Sequence, residues 1–210
     1  MVTVKATGAG GDAMDGGCER RADPILDIVV EMLDSEGYEA VQLREVARRA
    51  RVSLATIYKR YGTRDELIVA ALDGWMDTNR YARLLSLLDG LHGESIYTDL
   101  MHVMRTIFEP WEHHPTMLRS YFRARSGPGG KRLIQRGVDA VVPVAKAVLA
   151  QAEPVFAEDL ELILTGVVYG LLTRFTQGEI AVTEIVPGIE RTVFWLTVAY
   201  EHAPAGAIRR

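Results

Sequence analysis

Cysteine is almost missing from this chain of 210 residues: its one thiol, Cys18, sits in the Gly-rich stretch GAGGDAMDGGC. A single cysteine excludes an internal disulfide and argues against a cysteine-based metal site. Long apolar runs are missing too. No stretch of 18 or more apolar residues occurs, and the N-terminus lacks a basic start followed by an apolar segment, so neither a membrane span nor a secretory signal is predicted. A cytoplasmic protein is expected. Nucleophile elbow, phosphate loop and His-Glu metal motif are all absent, so no catalytic residue, metal or cofactor is assigned and the chain is not expected to be an enzyme. His102, His113 and His114 lack the spacing of a ligand set.

What is present is an ordinary core and an uneven charge. Apolar residues make up 48% of the chain and charged ones 25%, enough for a real core at this length. The formal net charge is −4. Between Tyr38 and Arg64, however, seven Lys or Arg face only Glu39 and Glu45, giving a local charge of +5 on a body of −9. A compact basic segment on an acidic body suits a protein that meets phosphates at one end, although a solvated basic face carries the same pattern.

Helical periodicity runs through the chain. Residues 1–19 have no period and read as a disordered tail. Asp23 and Pro24 read as N-cap and first helical residue, Ile25, Ile28, Val29, Met32 and Leu33 repeat at helical spacing, and Gly37 ends that helix. LREVARRA is a second helix with Leu43, Val46, Ala47 and Ala50 on one face, and RVS is a short turn. VSLATIYKRY then forms a third, and Thr63–Glu66 matches a capping box opening a fourth, striped by Leu67, Ile68, Ala71, Leu72, Trp75 and Met76. SLLDGLHGES, 86–95, marks a boundary between a small domain at 20–85 and a larger one at 86–210.

Beyond that boundary nothing alternates with period two. Ile96 to Phe108 reads as a helix ending at Pro110, and Met117 to Phe122 as part of a shorter one. Lys131–Gln151 reads as a long helix kinked near Pro143, followed by helices at Ala157–Gln177 and about Thr183–His202. The chain is expected to be all-α, with about nine helices: an N-terminal three-helix domain holding a helix-turn-helix, and a C-terminal helical domain.

The third helix decides the functional reading. At 100° per residue Leu54, Ile57 and Tyr61 share one side, while Ala55, Thr56, Lys59 and Arg60 point away, with Tyr58 at the border. Packed on LREVARRA, such a helix presents small, hydroxylic and cationic groups outward, as entry into a DNA major groove requires. A helical hairpin with a solvated basic face remains the plainer alternative.

GYEAVQLREVARRARVSLATIYKRYGTRDELIVAAL, Gly37 to Leu72, resembles the DNA-binding domain of the TetR family of bacterial transcriptional regulators. Ile57, Tyr58 and Tyr61 match its Leu-Tyr-x-x-Phe pattern, and Thr63-Arg64-Asp65 stands where Ser-Lys-Glu is usual. Departures are Ala55 and Arg51 in place of glycines, Gln42 at the second N-cap, and Arg60 in place of His or Tyr. The resemblance implies DNA contact by Arg44 and by Ser53, Leu54, Ala55, Thr56, Tyr58, Lys59 and Arg60. It assigns base edges to Arg44, Thr56 and Lys59, and phosphates to Tyr58, Arg60, Thr63 and Arg64. GYEAVQ is similar to regulators of steroid and lipid catabolism in actinobacteria.

The same resemblance implies a C-terminal ligand pocket and a two-fold dimer interface. Met101, Met104, Phe108, Trp111, Met117, Tyr121 and Phe122, with Tyr169, are the candidate ligand-binding set, although plain core explains them as well. Ile163, Val167, Gly170, Leu171, Ile189, Val193, Leu196 and Tyr200 are the candidate dimer interface. The expected protein is a homodimeric, ligand-responsive repressor, with a double-stranded operator and a small hydrophobic effector as partners and no membrane. A helical carrier or enzyme with an apolar pocket, or a protein-interaction module, is the alternative.

Overall fold

A computed structural model of the protein describes residues 23–87 and 95–203. The tail at 1–19, Cys18 and most of the boundary segment (88–94) lie outside the described residues, among which there is no strand.

Helix α1 (Pro24–Ser35) begins as its sequence dictates. The Asp23 carboxylate accepts from the Ile25 amide at 3.1 Å, and Pro24 fills a position whose amide would have no helical partner. Ile25, Val29, Met32 and Leu33 are buried. At its end the amides of Glu36 and Gly37 both reach the Met32 carbonyl at 2.9 Å, and Gly37 takes a φ of +87° that only glycine adopts without strain. A 3-10 turn at Tyr38–Ala40 leads into α2 (Leu43–Ala50) and α3 (Leu54–Tyr61). α4 (Arg64–Met76) starts in a full capping box: the Thr63 hydroxyl accepts from the Glu66 amide at 3.1 Å, and the Glu66 carboxylate accepts from the Thr63 amide at 3.0 Å.

Helix α4 does not stop at its apolar stripe. Through a π-helical turn at Asp77–Tyr81 it continues into α5 (Ala82–Leu87), so one helix spans residues 64–87. The body follows as α6 (Ile96–Glu112), α7 (Pro115–Arg125), α8 (Gly130–Val148), α9 (Pro154–Thr176) and, after a 3-10 turn at Val182–Glu184, α10 (Ile185–Glu201). With α4 and α5 taken as one, nine helices are described. Several boundaries differ from the expected ones, α8 among them, which ends at Val148 rather than Gln151. α6 runs past Pro110, where burial of Trp111 at 1% exposure outweighs one lost amide near the helix end. α9 starts three residues early because Pro154 occupies the first turn, and α10 starts at Ile185 because the preceding residues take the tighter 3-10 geometry.

α1 packs on α2, α4 and α7, α4 also meets α8, and α10 lies across α6 and α9, so a single apolar core runs through both halves. Polar bonds tie the halves together. The buried Ser120 hydroxyl of α7 donates to the Leu33 carbonyl of α1 at 3.1 Å, and His114 Nδ1 lies 2.7 Å from Asp34. Asp73 of α4, 9% exposed, holds Arg132 of α8 at 2.8 Å, with Arg136 at 3.3 Å from its other oxygen. Trp75 of α4 packs on Trp111 of α6 at 4.7 Å between ring centroids.

Arg51, which closes α2, is the one described non-glycine residue with positive φ, at 54°. A side chain in this left-handed conformation costs about 1 to 2 kcal/mol. Arg51→Gly is therefore expected to raise stability by about 1 kcal/mol in urea denaturation, whereas Arg51→Ala gives no such gain.

Candidate nucleic-acid interface

The turn after Arg51 and the cap of α3 fix the angle between α2 and α3. Ser53 caps α3, its hydroxyl accepting from the Thr56 amide at 3.1 Å and lying 2.8 Å from the Thr56 hydroxyl. Ile57 is buried at 1% exposure and seats α3 on α2 and α4, with Leu54 and Tyr61 half-buried beside it. The opposite side carries Ala55, Tyr58, Lys59 and Arg60, all exposed, with Thr56 between the two faces. Arg44 projects from the first turn of α2, also exposed.

Side-chain pairing divides the seven cations of this segment. Arg48 and Arg49 both bond Glu45, the first through Nη2 at 2.6 Å and the second through Nε at 2.6 Å, and Arg49 also reaches Glu36. Hydrogen bonds from Arg48 first, and then from Arg49, pull the Glu45 carboxyl down to about 2. Arg60 pairs with Asp23, which also accepts from the Tyr61 hydroxyl. Arg64 turns inward: Nε donates to the Val41 carbonyl at 2.5 Å, Nη2 to the Tyr38 carbonyl at 2.6 Å, and its guanidinium lies 4.6 Å over the Tyr38 ring. Arg44, Arg51 and Lys59 have no carboxylate partner among the described residues. The net attraction for phosphate therefore concentrates on the outer edge of α2 and α3.

The structure brings Ser53, Leu54, Ala55, Thr56, Tyr58, Lys59 and Arg60 together on or around α3, with Arg44 on the first turn of α2. Thr63 is exposed but its hydroxyl serves the capping box, and Arg64 serves as a clamp on the 3-10 turn. The ligand-binding candidates are split. Met101, Met104, Phe108, Trp111 and Met117 are buried, Tyr121 and Phe122 half-buried, while Tyr169 lies on the outer side of α9, 46% exposed, with its ring and hydroxyl against Arg125. Two open grooves flank α6. One, of about 330 Å³, is lined by Asn79, Arg83, Arg105, Thr106, Glu109, Pro110, His113 and His114; the other, of about 280 Å³, by Tyr97, Thr98, Met101, His102 and Arg105. Met101 alone of the eight candidates borders either groove. The histidines join no metal-ligating group among the described residues.

The dimer candidates divide in the same way. Ile189 and Val193 are fully buried in the chain's own core, Leu171, Leu196 and Tyr200 are partly buried against it, and Val167 is half-buried. Tyr200 stacks on Phe156 at 3.8 Å, and its hydroxyl accepts from the Glu153 amide at 3.1 Å. Ile163 and Gly170 face outward. Close approach of α9 and α10 is provided by Gly188, where a Cβ would meet a Leu171 methyl at 2.9 Å; nothing lies within 4 Å of Gly166 or Gly170. Sequence reasoning missed Leu162, 74% exposed, Trp195, 67% exposed, and Phe194. Leu162 stands one helical turn before Gly166 and two before Gly170, a spacing that placed it on their face all along.

A short capped helix set outward on a left-handed turn, with its free cations on the outer edge, defines a helix-turn-helix DNA-binding protein. Comparison with known proteins agrees. Residues 25–71 match the model of bacterial regulatory proteins of the tetR family, and residues 93–196 match the Tetracyclin repressor-like C-terminal domain. The chain belongs to the TetR family, as a DNA-binding transcriptional regulator. It is 32% identical over 99 residues to the uncharacterised HTH-type transcriptional regulator YvkB of Bacillus subtilis, a match covering 47% of this chain and 49% of that protein. Over 71 residues it is 38% identical to the HTH-type transcriptional repressor KstR of Rhodococcus jostii, covering 33% of this chain and 34% of KstR. The chain thus matches half or less of the length of these curated relatives. A TetR-like transcriptional regulator from Rhodococcus sp. RHA1 superposes with a TM-score of 0.55 at 20% identity, over 84% of this chain and 94% of the other. A TetR-family regulator from Rhodococcus sp. gives 0.57 at 18%, over 83% and 96%. Both likenesses are of fold.

The pairing pattern ranks the arginines. Arg44→Ala and Lys59→Ala are each expected to cost about 1 to 3 kcal/mol of affinity for the preferred DNA sequence at fixed salt. Arg48→Ala, which removes a cation already held by Glu45, should cost clearly less. Fluorescence anisotropy with a selected DNA fragment measures all three.

Proposed function

We propose that the protein is a homodimeric repressor that binds a near-palindromic operator and is released by a small, mainly apolar effector held in the C-terminal helical body. The observation that carries this reading is the outer side of α3, where Tyr58 and Lys59 are exposed beside Thr56, with Arg44 exposed on the first turn of α2. Arg44, Thr56 and Lys59 read base edges in this arrangement, and Tyr58 and Arg60 hold phosphates, Arg60 on leaving Asp23.

Dimerisation is supported by a face that the chain leaves uncovered. Leu162, Ile163 and Tyr169 of α9 and Trp195 of α10 are large, apolar and at least 42% exposed, and Gly166 and Gly170 between them leave room for another backbone. Pairing this face across a two-fold axis makes a four-helix contact and sets two copies of α3 about 34 to 36 Å apart, as successive major grooves require. The effector reading rests on the Met- and aromatic-rich stretch from Met101 to Phe122, which lies between the dimer helices and α4. An effector that binds one dimer geometry better than the other shifts operator affinity by that difference, and by reciprocity the operator weakens effector binding equally.

Selection of genomic DNA fragments by the purified protein tests the reading directly: a recovered near-palindrome supports it, and no sequence preference overturns it. Trp195→Glu or Leu162→Glu is expected to give folded monomers in sedimentation at micromolar concentration. Val193→Glu, which buries a charge in the chain's own core, should unfold the protein instead, as circular dichroism would report.

A further inference from the structure

Arg80 is the one described arginine enclosed by the core, 8% exposed on the π-helical turn that links α4 to α5. Its surroundings do not neutralise it. Nη1 donates only to the Met76 sulfur at 3.1 Å, and Nε is buried without a hydrogen-bond partner. The guanidinium lies 5.1 Å from the Trp111 ring and 5.7 Å from the Tyr81 ring. The titratable groups that act on it are Tyr81 and Tyr121, and no carboxylate is among them; burial pushes its pKa down. The neighbouring Tyr81 hydroxyl is also buried without a partner. A third such atom, Asp73 Oδ1, is compensated by Arg136 at 3.3 Å.

Aromatic faces return only part of what a guanidinium loses on leaving water, and a buried cation without a counter-ion destabilises a fold strongly. Sequences rarely keep such a group without a use, and π turns recur at functional sites. On the same helix Asp73 pairs with Arg132 and Arg136, and Asp77 pairs with Arg136.

We propose that Arg80 and Tyr81 form the anchor for the acidic group of the effector, and that the effector is an organic carboxylate on an apolar body. One guanidinium matches a monoanion better than a phosphate. Arg80 would give the carboxylate charge-assisted bonds from Nε and its terminal nitrogens, the Tyr81 hydroxyl a further one, and Met76, Trp111 and Tyr121 would meet the apolar part. This deepens the effector reading above and rests on it. It also supplies a route to the DNA: the anchor sits on the helix whose N-terminus is capped at Thr63, beside α3.

The test uses the full-length protein with dodecanoate and 2-naphthoate as probes, each against its neutral amide, read by tryptophan fluorescence and thermal shift. Each acid is expected to bind roughly tenfold or more tightly than its amide. In Arg80→Met that preference should vanish, and the variant without probe should melt above the unmodified protein, because an unpaired buried charge has been removed; Arg80→Lys should keep part of the preference. Equal binding of acid and amide, no binding of either, or an Arg80→Met variant that melts lower would overturn the proposal. Operator release separates the two readings. Amides that release operator as well as the acids do leave the apolar-effector reading standing and remove the anchor, whereas preferred acids that leave operator affinity unchanged keep the anchor and remove the regulatory reading.

Discussion

The helix from Arg64 to Leu87 runs through both halves of one core, and the rest of the molecule is arranged around that constraint. Leu67, Ile68 and Leu72 lie in its N-terminal half with α1 and Ile57 of α3, while Trp75, Met76 and Tyr81 lie in the half that packs against α6 and α8. Asp73, between the two sets, is locked by Arg132 and Arg136 from α8. Through this helix the π turn is joined by packed side chains to the Thr63 end, where α3 is attached, and the proposed effector would act on the DNA-binding end along it.

A second tie runs in parallel through the turn at Tyr38–Ala40. Arg64 grips its carbonyls from α4, the Tyr38 hydroxyl donates to Asp65 at 2.9 Å, and Arg123 of α7 lies over the same ring and 3.5 Å from Glu39. With Ser120 bonded to Leu33, these contacts hold the DNA-binding half against α7 as well as α4. Such bonds stabilise by only about 0.5 to 1.5 kcal/mol each, so they set the angle of the domain more than the stability of the fold.

The same residues that look interchangeable in a charge count differ sharply in what they can do. Arg48, Arg49, Arg60 and Arg64 are committed to Glu45, Glu36, Asp23 and backbone carbonyls, while Arg44, Arg51 and Lys59 are left outward. A similar sorting applies to the apolar stripes of α9 and α10. Ile189 and Val193 serve the chain's own core, and Leu162 and Trp195 are left bare.

What the sequence by itself determined was local: the Asp23-Pro24 start of α1, the Gly37 stop, the short turn before Ser53, the Thr63–Glu66 box and the outward set on α3. These depend on dihedral preferences and hydrogen bonds within a few residues, and on the 100° step of a helix, so they are written in spacing. The outward face of α3 was legible for that reason. Partner choice across distance was not. That Arg64 bends back to residues 38 and 41, that Gly188 rather than Gly166 receives a neighbouring helix, and that Tyr169 leaves the aromatic cluster all depend on which helix faces which. Nor could periodicity separate Val193 from Trp195, since both lie on an apolar helix and only the placement of α6 and α9 decides which side is covered. Arg80 is the clearest case: in the sequence it is one cation among 24 Lys and Arg, and only the packing of Trp111 and Tyr81 around it makes it a buried charge without a partner.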